Sequence, residues 1–307
     1  MEILVVDDAS TDETPSVAAE LGACVLRLPE NSGPAAARNH GARQARGDVL
    51  LFVDADVVVE RGTVDRVLMT FAQHPEVAAV FGSYDATPRA PGVVSRYRNL
   101  LHHFMHQSGH TEASTFWAGC GAIRRAVFHD VGGFDERRFP RSSIEDIELG
   151  HRLRRSGHRI LLDKTLQATH LKRWSLGSLL RTDVTRRAIP WSRLVLDTRA
   201  IPDTLNLAWK ERVCGALVAV AGLSLPLIAL RLEVAALTLA ALVAVLVMNR
   251  KLHRFFFRRG GLWFVVACIA LHLLYYVYSG LSFLYAWLEH CVRLPRLSPA
   301  ARPKLPG

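Results

Sequence analysis

The sequence predicts an α/β domain with a mostly parallel sheet, followed by C-terminal transmembrane helices. Short apolar runs alternate with helix signals through the first half of the chain, which is the rhythm of βαβ units. The last third holds three long apolar blocks, at 213–230, 232–248 and 262–288, each near the roughly 20 residues that cross a bilayer. Of the 307 residues, 50% are hydrophobic and the mean hydropathy is +0.15, which is high for a purely soluble protein.

The alternation supplies strands and helices in a definite order. A Pro at the first helical position and a Gly after the last one mark helix ends. The predicted strands are 3–6, 24–28, Val49–Val53, 77–81, 116–123 and 160–162. The predicted helices begin at Thr14, Pro34 and Glu145, and they end at Gly22, near Gly47 and at Ser156. Ligands of such sheets bind at the C-terminal ends of the strands, so we expect the functional site there.

These patterns divide the chain into four parts. They are a globular domain at 1–173, a linker at 174–212, the transmembrane helices at 213–288 and a basic, Pro-rich tail at 289–307. In the linker, residues 174–191 place apolar and charged side chains on different faces of a helix, with Trp at each end. This pattern is typical of a helix at the headgroup level of a membrane, and equally of an ordinary surface helix.

The net charge of +10 comes mainly from the apolar third of the chain. Residues 213–307 hold ten Lys or Arg against two Asp or Glu. Basic residues beside apolar blocks are typical of cytoplasmic juxtamembrane segments. We therefore expect a multi-pass protein of the cell membrane with its N-terminal domain in the cytoplasm, and no nucleic-acid partner. The five cysteines are widely spaced, which argues against a disulfide scaffold and a zinc site.

Two carboxylates follow the most apolar strand. Asp54 and Asp56 come directly after Val49–Val53, at the edge where a sheet presents its ligands. Paired oxygen ligands suit a divalent cation, Mg²⁺ or Mn²⁺, which can bridge diphosphate oxygens. Because an Asp-x-Asp is common by itself, a polar strand exit or a helix cap stays an alternative.

Three further motifs carry candidate site residues. Asp7 and Asp8 end the first strand and are candidates to bind a nucleotide base or ribose, although Asp also favours capping turns. Arg38 lies in a helix with a Gly-Pro start and is a candidate to meet phosphate. Glu145 and Asp146 open a helix, where a carboxylate can act as general base, and where acidic residues are also common for reasons of stability.

The order of these motifs resembles glycosyltransferase family 2 over roughly residues 2–170. The motifs are Val-Val-Asp-Asp-x-Ser-x-Asp (5–12), Asn-x-Gly-x-Ala-x-Ala-Arg-Asn (31–39), Asp-Ala-Asp (54–56), Gly-Cys-Gly-Ala-Ile-Arg-Arg (119–125), Gly-Gly-Phe-Asp-Glu (132–136) and Glu-Asp (145–146). The resemblance implies a GT-A fold, a sandwich like that of nucleotide-diphospho-sugar transferases. It also implies a nucleotide-sugar donor and inversion at the anomeric carbon.

The resemblance further implies roles for individual residues. The roles are nucleotide binding for Asp7 and Asp8, donor and metal binding for Asp54, metal ligation for Asp56, and general base for Asp146 with Glu145 beside it. The segment that contains Gly119, Cys120 and Gly121 would line the acceptor side of the sugar. His170 would reach the metal or the diphosphate, and the alternative is a structural histidine.

The sequence departs from the family pattern in two places. The family opens with a further strand and helix before the Val-Val-Asp-Asp strand, so we expect an N-terminally truncated domain without its first strand. No Gln-x-x-Arg-Trp motif accompanies Trp174, which favours transfer of a single sugar over processive synthesis. The expected acceptor is lipid-linked, membrane-proximal or a polysaccharide. The alternatives are an inactive membrane protein that binds nucleotide or partners, and a nucleotidyltransferase that uses the same aspartates.

Overall fold

The computed structural model describes residues 1–198 and 208–293, and the chain divides into two units. The first unit contains Met1–Ser175, and the described part of the second contains residues 176–198 and 208–293. Residues 199–207 of the predicted linker and residues 294–307 of the predicted basic tail lie outside the described residues.

The first unit is an α/β domain, as the sequence predicts. Its strands are β1 Leu4–Asp7, β2 Cys24–Arg27, β3 Val49–Val53, β4 Val57–Val59, β5 Val77–Tyr84, β6 Glu112–Ala113, β7 Cys120–Arg124 and β8 Arg159–His170. Its helices are α1 Thr14–Glu20, α2 Pro34–Gln44, α3 Thr63–Gln73, α4 Val93–Ser108, α5 Arg125–Asp130 and α6 Glu145–Arg155. Every predicted strand and helix is present, but β7 begins four residues after its predicted start and β8 continues eight residues past its predicted end. β4, β6, α3, α4 and α5 are additions.

The sheet is mixed and contains the parallel strands that the sequence predicts, together with antiparallel ones. β1 and β2 pair in parallel as a two-stranded sheet, and the remaining strands form a six-stranded sheet in the order β3-β7-β5-β8-β4, with β6 paired to β8. Within the larger sheet, β5 and β8 are parallel, while the pairs β3/β7, β5/β7, β4/β8 and β6/β8 are antiparallel.

The path of the chain after α4 explains the antiparallel direction of β7. Ala113 pairs with Ile160 near the start of β8, so the chain at β6 lies at the N-terminal end of the parallel strands. Gly119 already accepts a hydrogen bond from the backbone N–H of Asp54 at the opposite end. Residues 114–119 therefore carry the chain across the sheet before β7 begins. Alternation of strands and helices indicates the element types, but this crossing decides the strand direction.

The apolar core lies on both faces of β5. All eight residues of this strand are buried, which explains why its sequence does not alternate between apolar and polar side chains. One core cluster includes Phe81, Phe116 and Leu149, and the other includes Val80 and Leu166. The core thus anchors β5 at the centre of the larger sheet and leaves the C-terminal strand ends for polar residues.

The second unit is helical over its described residues. Its elements are α7 Leu176–Thr182, a π-helical turn Asp183–Ala188, α8 Ile189–Thr198, α9 Trp209–Ser224, a 3₁₀ turn Leu225–Ala229, α10 Val234–Met248 and α11 Arg250–Arg293. Gly261 has a φ of 74° and interrupts α11. Two tyrosine hydroxyls of α11 donate hydrogen bonds to acidic side chains, Tyr276 to Glu211 at 2.7 Å and Tyr278 to Asp183 at 2.6 Å. These bonds join α11 to α9 and to the π-helical turn.

Two helical segments of this unit, Trp209–Ala229 and Arg250–Val292, are long and apolar enough to cross a membrane, judged by length and composition. The middle one of the three predicted membrane helices is shorter than these two segments, and its crossing of the membrane stays a prediction. α10 has 15 residues and so a length of about 22 Å, which is shorter than a hydrocarbon core of about 30 Å. Many apolar side chains of the second unit are exposed, and Leu232, just before α10, is 81% exposed.

Candidate active site

Arg38 joins three parts of the chain that are distant in sequence. Its Nη2 lies 2.6 Å from Oδ1 of Asp54, and its Nη1 lies 3.0 Å from Oε1 of Glu145. The guanidinium also lies 5.4 Å from the ring centroid of Phe134. The helix α2, the end of β3 and the start of α6 therefore converge at one ion-paired cluster. Both ends of the Arg38 fork contact carboxylates, so the predicted contact of Arg38 with phosphate stays a prediction.

Asp146 directly follows Glu145 of this cluster, and its pKa is raised. Its Oδ2 accepts a hydrogen bond from the backbone N–H of Ala118 at 3.3 Å, and its Oδ1 accepts one from Ile147 at 2.8 Å. Burial and, less strongly, the negative charge of Glu145 raise the pKa of Asp146 to about 7, against the positive charge of Arg38. A carboxylate with a pKa near neutrality is suited to general base chemistry.

Asp56 and His170 form the second polar pair of the site. Nε2 of His170 lies 3.4 Å from Oδ2 of Asp56, and Nδ1 of His170 lies 3.0 Å from Oδ1 of Asn99. The His170 ring also stacks on Tyr84, with centroids 4.7 Å apart. The hydrogen bond from His170 lowers the pKa of Asp56, against the effect of burial. Among the residues that the structure describes, no group of three or more His, Cys, Asp or Glu side chains is arranged to hold a metal ion.

Asp7 and Asp8 organise the loops at the ends of β1 and β2. Both oxygens of Asp8 accept backbone hydrogen bonds, from Ser32 at 2.7 Å and from Gly33 at 2.8 Å. Asp7 is 2% exposed, and its Oδ1 accepts a hydrogen bond from the backbone of Ser10 at 3.1 Å. Asp8 therefore holds the start of α2, the helix that carries Arg38. Nucleotide binding by these two aspartates stays a prediction.

The segment at Gly119 to Gly121 lies mostly within strand β7. Gly119 precedes β7, whereas Cys120 and Gly121 lie within it, and Gly121 pairs with Phe52 and Phe81 on the two neighbouring strands. Cys120 is fully buried, and burial raises the pKa of its thiol to about 12. A contact of this thiol with an acceptor is not compatible with its burial in the core.

Residues 1–132 match the family model described as Glycosyl transferase family 2. The N-terminal part of the chain is a family 2 glycosyltransferase domain. This finding confirms the resemblance inferred from the motif order.

Individual relatives agree with the family 2 assignment. The chain is 33% identical over 187 residues to the pre-mycofactocin glycosyltransferase of Mycobacterium tuberculosis, a match that covers 57% of this chain and 38% of that one. It is 34% identical over 152 residues to the O-antigen biosynthesis protein RfbC of Myxococcus xanthus, which covers 44% of this chain and 12% of that one. The chain thus spans less than two fifths of the length of each of these two relatives.

One solved structure shows that the family 2 domain has the GT-A fold. The crystal structure of S. aureus TarS 1-349 in complex with UDP-GlcNAc matches with a TM-score of 0.50 at 18% identity. The match covers 92% of this chain and 81% of that one. At this identity the likeness concerns the fold alone, and it confirms the predicted fold class.

The family 2 domain also contains site residues that the sequence analysis does not identify. Tyr84 ends β5, and its ring lies 4.8 Å edge-on from the ring of Trp117. Burial raises the pKa of Tyr84, and the negative charges of Asp54, Asp56 and Asp146 raise it further. The sequence holds a signal for Tyr84, because this residue ends an apolar strand, as Asp7 does. No such signal marks Asn99, which lies inside α4.

Proposed function

We propose that the first unit transfers a single sugar from a nucleotide-diphospho-sugar to an acceptor at the membrane, with inversion at the anomeric carbon. The observation that carries this proposal is the convergence of Asp54 and Glu145 on Arg38, which brings the Asp-Ala-Asp motif after β3 together with the Glu145-Asp146 pair that opens α6. Such a cluster suits the GT-A fold, whose ligands bind at the C-terminal ends of the strands.

Direct displacement needs one group that takes a proton from the acceptor and another that holds the leaving diphosphate. Asp146 suits the first role, because its raised pKa keeps it basic enough to accept a hydroxyl proton. As the acceptor oxygen bonds to the anomeric carbon, the bond to the diphosphate oxygen breaks and its electron pair leaves with the nucleotide. Arg38 fixes Glu145 beside Asp146, and so keeps the negative charge that maintains this basicity.

The pair of Asp56 and His170 fits a divalent cation, Mg²⁺ or Mn²⁺. Asn99 donates through Nδ2 to the carbonyl of His170 at 3.5 Å, so its Oδ1 faces the ring and accepts from Nδ1. Nε2 lies 3.4 Å from Oδ2 of Asp56, and a cation bound there would take the place of the proton that Nε2 donates to Asp56. Asp56 and His170 would hold the cation through a carboxylate oxygen and an imidazole nitrogen.

A cation at this pair would neutralise charge on the departing diphosphate. The side chains of Asp56 and His170 would supply two ligands, and diphosphate oxygens and water would supply the rest. Asp54 stays a candidate for donor or metal contact through the oxygen that Arg38 does not engage. We assign the nucleotide end of the donor to the loops held by Asp7 and Asp8.

The second unit supports a membrane-proximal acceptor, such as a lipid-linked sugar or a nascent polysaccharide. Its long apolar helices expose side chains that water solvates poorly, which favours a multi-pass location in the cell membrane. The cations at 250–259 favour the cytoplasmic side for the start of α11, and we propose that the first unit is cytoplasmic as well.

Sugar transfer by the full chain in detergent tests this proposal. The assay offers a panel of UDP-, GDP- and dTDP-sugars with a polyprenyl phosphate or a glycolipid acceptor, with Mn²⁺, Mg²⁺ or EDTA. We expect cation-dependent release of the nucleotide, a loss of at least about 100-fold in Asp56→Asn, and a comparable loss in Asp146→Asn with a hydroxyl acceptor. A polyprenyl phosphate is already ionised, so with that acceptor Asp146→Asn should have a mild effect.

Asp48→Asn is the matched control. Asp48 directly precedes β3, at the end opposite to Asp54, and its side chain is fully exposed. This variant should retain full activity. Donor binding without transfer in every combination would instead favour an inactive nucleotide-binding protein, and equal activity of all three variants would refute the assigned roles.

A further inference from the structure

The first turns of α11 carry a one-sided basic surface. Residues 250–260 hold five Lys or Arg and no Asp or Glu. Lys251, Arg254 and Arg258 are spaced by three and four residues, so they lie on one face of the helix, and all three are exposed. We call these three residues the basic face. None of them has an ion pair or a side-chain hydrogen bond among the residues that the structure describes.

The opposite face of the same turns is apolar and packed. Leu252 is 2% exposed and Phe256 is fully buried, and the Phe256 ring lies edge-on to that of Phe264, with centroids 6.0 Å apart. The packing fixes the rotation of the helix about its axis. The basic face is therefore held outward by the fold, which distinguishes it from a mobile charged tail.

The residues that follow the basic face are typical of a membrane interface. Gly261, with a φ of 74°, ends the basic turns and lets the chain change direction. Leu262 and Trp263 come next, 65% and 87% exposed, and they open the long apolar part of α11. Phe257 beside the basic face is 53% exposed. Exposed aromatic side chains at the start of an apolar helix favour the headgroup level of a bilayer.

We propose that the basic face binds the headgroups of anionic phospholipids at the membrane surface. Three unpaired cations held on one face complement a layer of negative charge, and the adjacent exposed aromatic side chains complement the acyl boundary below it. A surface of this kind attracts anionic lipid by about fivefold for each Lys or Arg. This inference does not depend on the proposed sugar transfer, because it concerns the second unit alone.

Native mass spectrometry of the full chain in a non-ionic detergent tests the inference. The chain is titrated with dioleoyl phosphatidylglycerol and, separately, with dioleoyl phosphatidylcholine. We expect tighter binding of phosphatidylglycerol, weakened by added salt. The triple variant Lys251→Gln, Arg254→Gln and Arg258→Gln should lose on the order of 100-fold in phosphatidylglycerol affinity and keep its affinity for phosphatidylcholine. Gln favours the helix, and circular dichroism checks that the helical content is unchanged.

The matched control removes the same net charge from the first unit. It carries Arg43→Gln, Arg61→Gln and Arg155→Gln, all at exposed positions, and should bind phosphatidylglycerol like the parent chain. Equal affinity of the parent for both lipids, or an equal loss in the control, overturns the inference. Displacement of the lipid by inorganic phosphate at constant ionic strength would overturn it as well, since the surface would then be a site for small anions.

Discussion

Replacing Arg38 by Met should lower the free energy of unfolding of the first unit by about 3 kcal/mol. The Glu145 side chain is 5% exposed, so the change leaves a buried carboxylate without its cation, at a cost of about 3–5 kcal/mol. The backbone N–H of Ser143 still donates to Glu145 at 2.7 Å, which favours the low end of that range. The Asp54 side chain is 36% exposed and solvated, and it adds at most about 1 kcal/mol.

Pulse proteolysis of the full chain in detergent, across a urea series, measures this loss. Arg38→Met combined with Glu145→Gln should recover all but about 1 kcal/mol, because the buried charge is then gone. A cost below about 1 kcal/mol, or no recovery in the double variant, would refute the reasoning.

Three further outcomes follow from the site. The rate constant kcat/KM with a hydroxyl acceptor should fall as the pH drops below about 7, because Asp146 is then protonated, and a pH-independent rate would contradict its role as base. Gly33→Ala should destabilise the first unit by about 2–3 kcal/mol, because a Cβ at this position would meet the carbonyl of Pro140. Gly22 has a similar φ but open space around it, so Gly22→Ala should cost only about 1 kcal/mol. Equal losses of the two variants in urea unfolding would contradict the contact with Pro140. Asn99→Ala should weaken Mn²⁺ binding about 10–100-fold in an electron paramagnetic resonance titration, and unchanged affinity would contradict its positioning of the histidine.

Much of the candidate site could be predicted, because its residues follow strands whose apolar runs are unmistakable. Asp54 and Asp56 were identified in this way, as were Asp7 and Asp8. Their partners could not be identified from local sequence. The contact of Arg38 with Glu145 joins residues 107 positions apart, and that of His170 with Asn99 joins residues 71 apart. Only the packing of α2, α4 and α6 brings these side chains together.

The sequence by itself determined the element types of the first unit, the family to which it belongs and the apolar character of the last third. These properties depend on local periodicity and on the order of short motifs. The tertiary structure decided that β7 runs against its neighbours, that the Cys120 thiol is buried, and that the middle apolar block forms a helix of 15 residues. It also decided which carboxylate meets Arg38 and which meets His170. Strand direction and side-chain partners depend on where distant segments cross the sheet, and no local pattern encodes that crossing.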